Sequence, residues 1–346
     1  MSEFEQVTIA GETNVLSNRF GSGSVDGIGK ELGRFVVTTM DIPWLAARDR
    51  IAGSPAAVLI ADSMEIDVVD RQVAAAPGCD TVLAVGGGRA IDLGKYLAWK
   101  RGCRLVTVPT VLSVDAFVTP ASGIRRNHKV DYMGHASPDP LIIDYDLLRT
   151  APAELNVAGI GDLLSIHTAT FDWELAQQAG KSEFPFSPDA VKAARAILAT
   201  VCERADEIAR CTDIGLRAIV EGYMRVNTIC LPAGHYRVEE GSEHYLFYEL
   251  EEQLKRAFIH GHIVGLGVYV MSRLQDNRHE WITDVMNRVG LHYRPQQMDI
   301  PRQALADSLL SLQDYVAGNK LWHTVINERR QDRAWVDEIL DCVFKA

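Results

Sequence analysis

Thr81-Val82-Leu83-Ala84-Val85 runs without a polar break straight into Gly86-Gly87-Gly88, and a helix-like stretch follows. A strand that is apolar on both faces must be covered on both faces, which is the situation inside a parallel sheet flanked by helices. Four other runs share this texture: Phe35–Thr39, Ala56–Ala61, Arg104–Val108 and Leu141–Asp144. Helix-like segments alternate with them over the first 150 residues. The rhythm predicts an α/β domain built on a parallel sheet.

Beyond about residue 151 strand-like runs become scarce, and helical patterns cover 162–179, 188–210, 213–229, 243–258, 262–274, 278–289, 302–316 and 331–344. A chain of 346 residues accommodates two domains. The expected division is an α/β dinucleotide-binding domain at 1–152 and an all-helical metal- and substrate-binding domain at 153–346. Hydrophobic residues at 47% and charged residues at 23% exclude disorder as the main state. A net charge of −11 speaks against a nucleic-acid partner. The six cysteines form no CxxC pair, which argues against a zinc ribbon or a disulfide framework. The N-terminal stretch has no basic segment followed by an apolar one, and no apolar run approaches the roughly 20 residues that span a bilayer. A cytoplasmic protein with no membrane partner is expected.

Backbone amides at a helix start favour a phosphate, and glycines let it come close. Gly86, Gly87 and Gly88 are therefore candidate ligand residues, although a tight turn without a ligand explains the same letters. The pattern is not GxGxxG, so the ordinary dinucleotide fingerprint does not apply. Val108-Pro109-Thr110-Val111-Leu112-Ser113-Val114-Asp115 places hydroxyls and a carboxylate after a strand end, where open α/β sheets bind ligands. Side chains that cap their own loop are the alternative. Asp162 sits at an expected helix start, so an N-cap role competes with a metal-ligand role.

His244 and His260 could join Asp162 in a carboxylate-plus-two-imidazole set, which suits Zn²⁺ or Fe²⁺ and leaves a coordination position free. The two histidines are 16 residues apart, and one straight helix would separate them by roughly 24 Å. The helix must therefore end and the chain turn back between them, yet no glycine or proline marks a turn. Arg125, Arg126 and Lys129 could pair with a substrate phosphate or form a solvated loop.

Taken in order, GGGRAIDLGK at 86–95, VPTVLSVD at 108–115, GIGDLLSIHTATFDWELA at 159–176, GSEH at 241–244 and HGHIVGLG at 260–267 resemble the iron-containing alcohol dehydrogenase and dehydroquinate synthase superfamily. Within it they are most similar to the sn-glycerol-1-phosphate dehydrogenases. The resemblance implies a parallel-sheet nucleotide-binding domain and an all-helical metal-binding domain that both serve one active site. It also implies NAD(P), one divalent metal (usually zinc, with iron or nickel accepted by the same donors) and a homodimer. Gly86, Gly87 and Gly88 would hold the cofactor pyrophosphate, and Thr110, Ser113 and Thr119 would line the cofactor. Asp41 would accept the adenosine ribose hydroxyls, which bears on NAD against NADP. Asp115 would touch substrate, and Asp162, His244 and His260 would bind the catalytic ion. Glycerol 1-phosphate and dihydroxyacetone phosphate are the implied substrate pair.

Three positions depart from that pattern. Tyr248 stands where these enzymes have a second, substrate-holding histidine, His262 where they have glutamate, and Ala116 where they have glycine. The metal set is intact and the substrate pocket is altered. Proton transfer is expected through Asp115, Tyr248 or a water. A dehydrogenase for another polyol, an NAD-dependent cyclase of the dehydroquinate synthase type and a non-catalytic relative stay open. The cyclases place glutamate at the first metal position, so Asp162 favours a dehydrogenase.

Overall fold

Four of the five apolar runs end up as inner strands of one sheet, and the fifth, Ala57–Ile60, as a half-buried edge strand. A computed structural model describes residues 4–127 and 129–345. Residues 1–3, 128 and 346, which belong to the N-terminal stretch, the 125–129 stretch and the C-terminal end read above, lie outside the described residues. The chain divides into two compact units, Met1–Asn156 with Tyr223–Thr228, and Val157–Gly222 with Ile229–Ala346.

The first unit carries strands β1 (Asn18–Phe20), β2 (Phe35–Thr39), β3 (Ala57–Ile60), β4 (Thr81–Gly86), β5 (Arg104–Pro109), β6 (Ser122–Arg126), β7 (Lys129–Met133) and β8 (Pro138–Ile143). Helices α1 (Asp41–Ile51), α2 (Ile66–Ala75), α3 (Gly88–Arg101) and α4 (Tyr145–Leu148) lie between or after them. Six strands form one parallel sheet in the order β1-β8-β5-β4-β2-β3. Phe35, Val37, Leu83, Val85, Val106 and Val108 fill one cluster of its core.

The strand order reverses between β2 and β4. From β2 the chain steps outward to β3, then crosses back to β4 and proceeds the other way to β5 and β8. Open α/β sheets bind ligands at the carboxyl ends of the strands that flank such a reversal. Here those ends are Met40-Asp41 and Gly86-Gly87-Gly88, brought side by side by the register Thr38↔Ala84.

Two short strand pairings were not legible beforehand. β1 pairs only with β8 and has three residues, too few to show a pattern. Arg125 and Arg126 are not loop residues as expected: they end β6, which pairs antiparallel with β7 from Lys129. The turn residue Asn127 has φ 53°, a conformation that asparagine tolerates.

The second unit is helical: α5 (Ala153–Gln178, whose first residues belong to the first unit), α6 (Pro188–Cys202), α7 (Ala205–Ala209), α8 (Asp213–Ala233, of which Tyr223–Thr228 belong to the first unit), α9 (Ser242–Leu254), α10 (His260–Leu274), α11 (His279–Val289), α12 (Arg302–Gly318), α13 (Val325–Glu328) and α14 (Arg333–Val343). Local chemistry sets several starts. Ser187 caps α6 by accepting from the Ala190 amide, with Pro188 at the first helical position, and Thr212 caps α8 by accepting from the Gly215 amide. The helix expected over 188–210 breaks at Glu203-Arg204 into α6 and α7. Among the described residues no helix is long and apolar enough to cross a membrane.

Leu83 is fully buried in the central strand. Leu83→Ala is expected to cost about 2–5 kcal/mol through lost burial and the cavity it leaves, measured by urea unfolding followed by circular dichroism.

Candidate functional site

Asp162 is not a helix cap. It lies in the middle of α5, which begins at Ala153. Gly159 and Gly161 look like helix breakers in the sequence, but Gly161 is demanded by packing. A Cβ there would lie 1.9 Å from the Gly261 carbonyl oxygen, and a Cβ on Gly261 would lie 1.7 Å from that of Ala158. Helices α5 and α10 thus touch backbone to backbone, one residue from Asp162 on one side and one residue from His260 on the other.

The turn that the two histidines require is made without glycine or proline. Helix α9 ends at Leu254, Lys255 takes a left-handed φ of 51°, and α10 starts at His260. The Glu251 carboxylate holds this turn by accepting from the Phe258 amide at 3.0 Å. His244 and His260 consequently come together, with ring centroids 5.4 Å apart.

Asp162 Oδ1 lies 3.1 Å from His260 Nε2 and 3.6 Å from His244 Nε2, and one ligand atom from each residue lies within 4.8 Å of the others. In a tetrahedral site with bonds of about 2.0–2.1 Å, ligand atoms stand roughly 3.3 Å apart. The three side chains therefore fit a small divalent ion, and their donor set of two imidazoles and one carboxylate suits zinc or iron. Electrostatics agrees. Burial pushes the Asp162 carboxyl up, but His260 and His244 beside it more than offset this and hold it below the usual carboxylate range. Burial opposes charge on His244, yet hydrogen bonds to Asp162 and Glu243 raise its pKa well above the usual imidazole value.

Tyr248 lies one turn beyond His244 on α9, with ring centroids 6.3 Å apart. Helical side chains lean toward the N-terminus, and the Tyr248 hydroxyl reaches back to donate to Glu240 Oε1. His262 belongs to a different environment: it is buried with its ring 5.2 Å from that of His292.

In the first unit the cofactor candidates gather at the strand reversal. Gly86 has φ 147° and a Cβ on it would lie 2.7 Å from that of Ala90. Cβ atoms on Gly87 and Gly88 would meet Val111 and Val114 at 2.9 and 2.8 Å. Gly87 and Gly88 are thus required by the packing of the 110–115 loop over the turn, and Gly86 by its backbone conformation and by Ala90. Helix α3 starts there with no side chain capping it, which leaves its first amides available to an anion. The Thr110 amide donates to the Gly86 carbonyl at 3.1 Å. Asp115 opens a short helical turn whose carbonyl accepts from Val118, and Ser113 precedes it in the same loop. Asp41 is exposed at the first position of α1.

Sequence reasoning missed Lys95 and Glu243. Lys95 is buried, pairs with Asp92 at 2.9 Å, and donates to the carbonyls of Thr119 and Ala121, so it sets the position of Thr119. The i, i+3 spacing of Asp92 and Lys95 on one helix was a usable signal. Glu243, fully buried, faces His244 Nδ1 at 3.0 Å. Its place beside the histidine in GSEH was visible, but its direction was not.

The model of the iron-containing alcohol dehydrogenase family matches residues 45–152. The glycerol-1-phosphate dehydrogenase [NAD(P)+] of Aeropyrum pernix is 30% identical over 230 residues, 66% of this chain and 65% of that protein. The chain thus spans just under two thirds of that relative's length. The enzyme of the same name from Staphylothermus marinus is 30% identical over 261 residues, 75% of this chain and 72% of that one. The chain belongs to the iron-containing alcohol dehydrogenase family, on its glycerol-1-phosphate dehydrogenase-like branch. The fold agrees: glycerol dehydrogenase from Schizosaccharomyces pombe superposes with a TM-score of 0.71 at 17% identity, covering 99% of this chain and 91% of that one. Members of this family share the two-part architecture seen here, a parallel sheet with helices followed by a helical portion.

Because His244 must give up a proton to bind an ion through Nε2, metal affinity is expected to rise with pH through the raised pKa of His244 and to level off above it. Uptake near pH 7 should release about one proton per ion. Calorimetry of zinc binding in two buffers of different ionisation enthalpy counts the protons; heats that do not depend on the buffer contradict it.

Proposed function

We propose that this chain is a metal-dependent, NAD(P)-linked dehydrogenase that moves hydride between a nicotinamide and a small polyol or its phosphate, with glycerol 1-phosphate and dihydroxyacetone phosphate as the first pair. The observation that carries the proposal is the convergence of Asp162, His244 and His260. The name shared by the curated relatives supports the cofactor and the phosphorylated substrate.

A divalent ion held by these residues, zinc in the first instance, supplies Lewis-acid polarisation of a substrate oxygen. The nicotinamide supplies the redox chemistry, and the protein supplies position and charge. The amides at the start of α3 and the Gly86-Gly87-Gly88 turn would receive the pyrophosphate. Thr110, Ser113 and Thr119 would line the cofactor, with Lys95 fixing Thr119. Asp115 would orient substrate by accepting from a hydroxyl. Tyr248 holds a proton on its phenol and passes its hydrogen bond to Glu240, which gives a substrate hydroxyl a donor–acceptor pair to exchange with. The proposed cofactor residues lie in one unit and the proposed metal residues in the other.

The test is NADH oxidation by zinc-loaded protein with dihydroxyacetone phosphate, and with dihydroxyacetone as the paired substrate. Stoichiometric NADH consumption that disappears, by at least about 10³-fold, together with zinc binding in Asp162→Ala is the expected result. Full turnover in that variant without metal overturns the proposal, and catalytic rather than stoichiometric use of NAD⁺ points to cyclase chemistry.

Asp41, exposed beside the glycine turn, would bind the ribose hydroxyls of NAD and oppose a 2′-phosphate by charge. Asp41→Ser is expected to shift the NADPH-to-NADH ratio of kcat/KM toward NADPH by about tenfold, near 1.4 kcal/mol. An unchanged ratio removes Asp41 from the cofactor site.

A further inference from the structure

Helix α5 carries more polar side chains on its buried face than a metal ligand requires. Asp162, Ser165, Thr168 and Asp172 follow one another at spacings of three, three and four residues, which places them along one side of the helix. All four are buried, the last three completely. Each of the last three takes hold of the segment leading into α9. Ser165 Oγ donates to the Glu239 carbonyl at 2.6 Å. Thr168 Oγ1 donates to Glu243 Oε2 at 2.7 Å. Asp172 Oδ2 accepts from the Ser242 amide at 2.9 Å, while Oδ1 accepts from the Val325 amide at 2.9 Å.

The other oxygen of Glu243 accepts from the Gly241 amide at 2.6 Å and faces His244 Nδ1 at 3.0 Å. A carboxylate only accepts. The proton in that contact must therefore be carried by His244 Nδ1, so Nε2, the atom on the Asp162 side, is the one that gives up its proton to offer a lone pair to an ion. A free imidazole chooses between two tautomers; this one has the choice made for it by a carboxylate that is itself held from α5.

We propose that Glu243 and Thr168 are positioning residues of the metal centre: Thr168 orients the Glu243 carboxylate, and Glu243 fixes His244 in the tautomer that offers Nε2 to the ion. The proposal rests on the metal reading above and adds to it the residues that decide which imidazole nitrogen binds. A histidine whose second nitrogen is held in this way is a better-aimed and more basic ligand, and loss of such a partner commonly weakens metal affinity by about 10–100-fold.

The experiment uses the full chain labelled with ¹⁵N-histidine and loaded with zinc. It reads long-range proton–nitrogen spectra for the tautomer and chelator competition for the zinc Kd, with His244→Asn to assign the resonance. The expected parent spectrum shows His244 protonated at Nδ1 and zinc-bound at Nε2. Glu243→Ala should raise Kd by about 10–100-fold, and Glu243→Gln should keep most of the affinity because its amide oxygen still accepts from Nδ1. Thr168→Val should weaken binding by a smaller factor that Thr168→Ser restores. Zinc bound through Nδ1 of His244 overturns the proposal. So do an unchanged Kd and spectrum in Glu243→Ala, or in Thr168→Val where the first variant does not fold. A parent protein that takes up no zinc overturns the metal reading itself, and that result is seen before any variant is compared.

Discussion

At Gly161 and Gly261 two helices meet with no side chain between them. The residues beside them, Asp162 and His260, are separated by 98 positions in the chain. Nothing local can hold two such residues at 3.1 Å. Closing a loop of that length costs entropy that only a large packed interface can offset, and the exact distance is then set by how closely the helix axes approach. Even one methyl group at the crossing would force the helices or their carbonyls apart, because interiors pack too densely to absorb it. His244 depends on the same crossing indirectly. A Cβ on Gly267 of α10 would lie 2.3 Å from the Glu243 carbonyl, so α9 too is drawn against backbone. The convergence of Asp162, His244 and His260 is thus a product of three helices that approach through glycine, and the three residues need no motif spacing in common.

The glycine turn of the first unit obeys a related constraint. Gly87 and Gly88 are usually read as room for a phosphate. Here their missing side chains are also room for Val111 and Val114. The two sequence motifs, GGG and VPTVLSVD, form one packed object: the second lies over the first, and Thr110 is bonded to Gly86. Lys95 then reaches from α3 to the backbone of Thr119 and Ala121. A buried ammonium is costly unless it is paired and fully hydrogen-bonded, and Asp92 with these carbonyls satisfies it. The residues proposed to hold a cofactor are therefore held by the same contacts that hold the sheet to its helices.

Much of this was legible because it rests on burial. Strands that are apolar on both faces announce themselves, and the five expected runs all fall in the parallel sheet. The convergence of Asp162, His244 and His260 was expected only through the family likeness: taken singly, Asp162 resembled a cap and each histidine a surface residue. The start of α5 was misplaced because Gly159 and Gly161 weaken helices in isolation, whereas the crossing with α10 repays them. The turn after α9 was invisible because Lys255 adopts a left-handed conformation that lysine has no intrinsic preference for. Glu243 escaped notice for another reason. Direction of a side chain depends on where its helix sits, and a carboxylate that faces a ligand looks in sequence like any acidic residue of a first turn.

The departures from the family pattern acquire different weights once burial is known. His262 is a core residue packed against His292, so a change there is absorbed by its neighbours in the interior. Tyr248 and Glu240 are only half-buried and bonded to each other. Such a pair can change together without disturbing the ladder from α5, which engages Glu239, Ser242 and Glu243 but not Glu240. The proposed ligands are held by completely buried side chains and by backbone contact, whereas Tyr248 and Glu240, one turn away, are half-buried and bonded to each other. On the proposed reading, a fold organised in this way keeps its metal ligands while Tyr248 and Glu240 change with the substrate, because the ladder from α5 engages the segment around His244 without engaging Glu240.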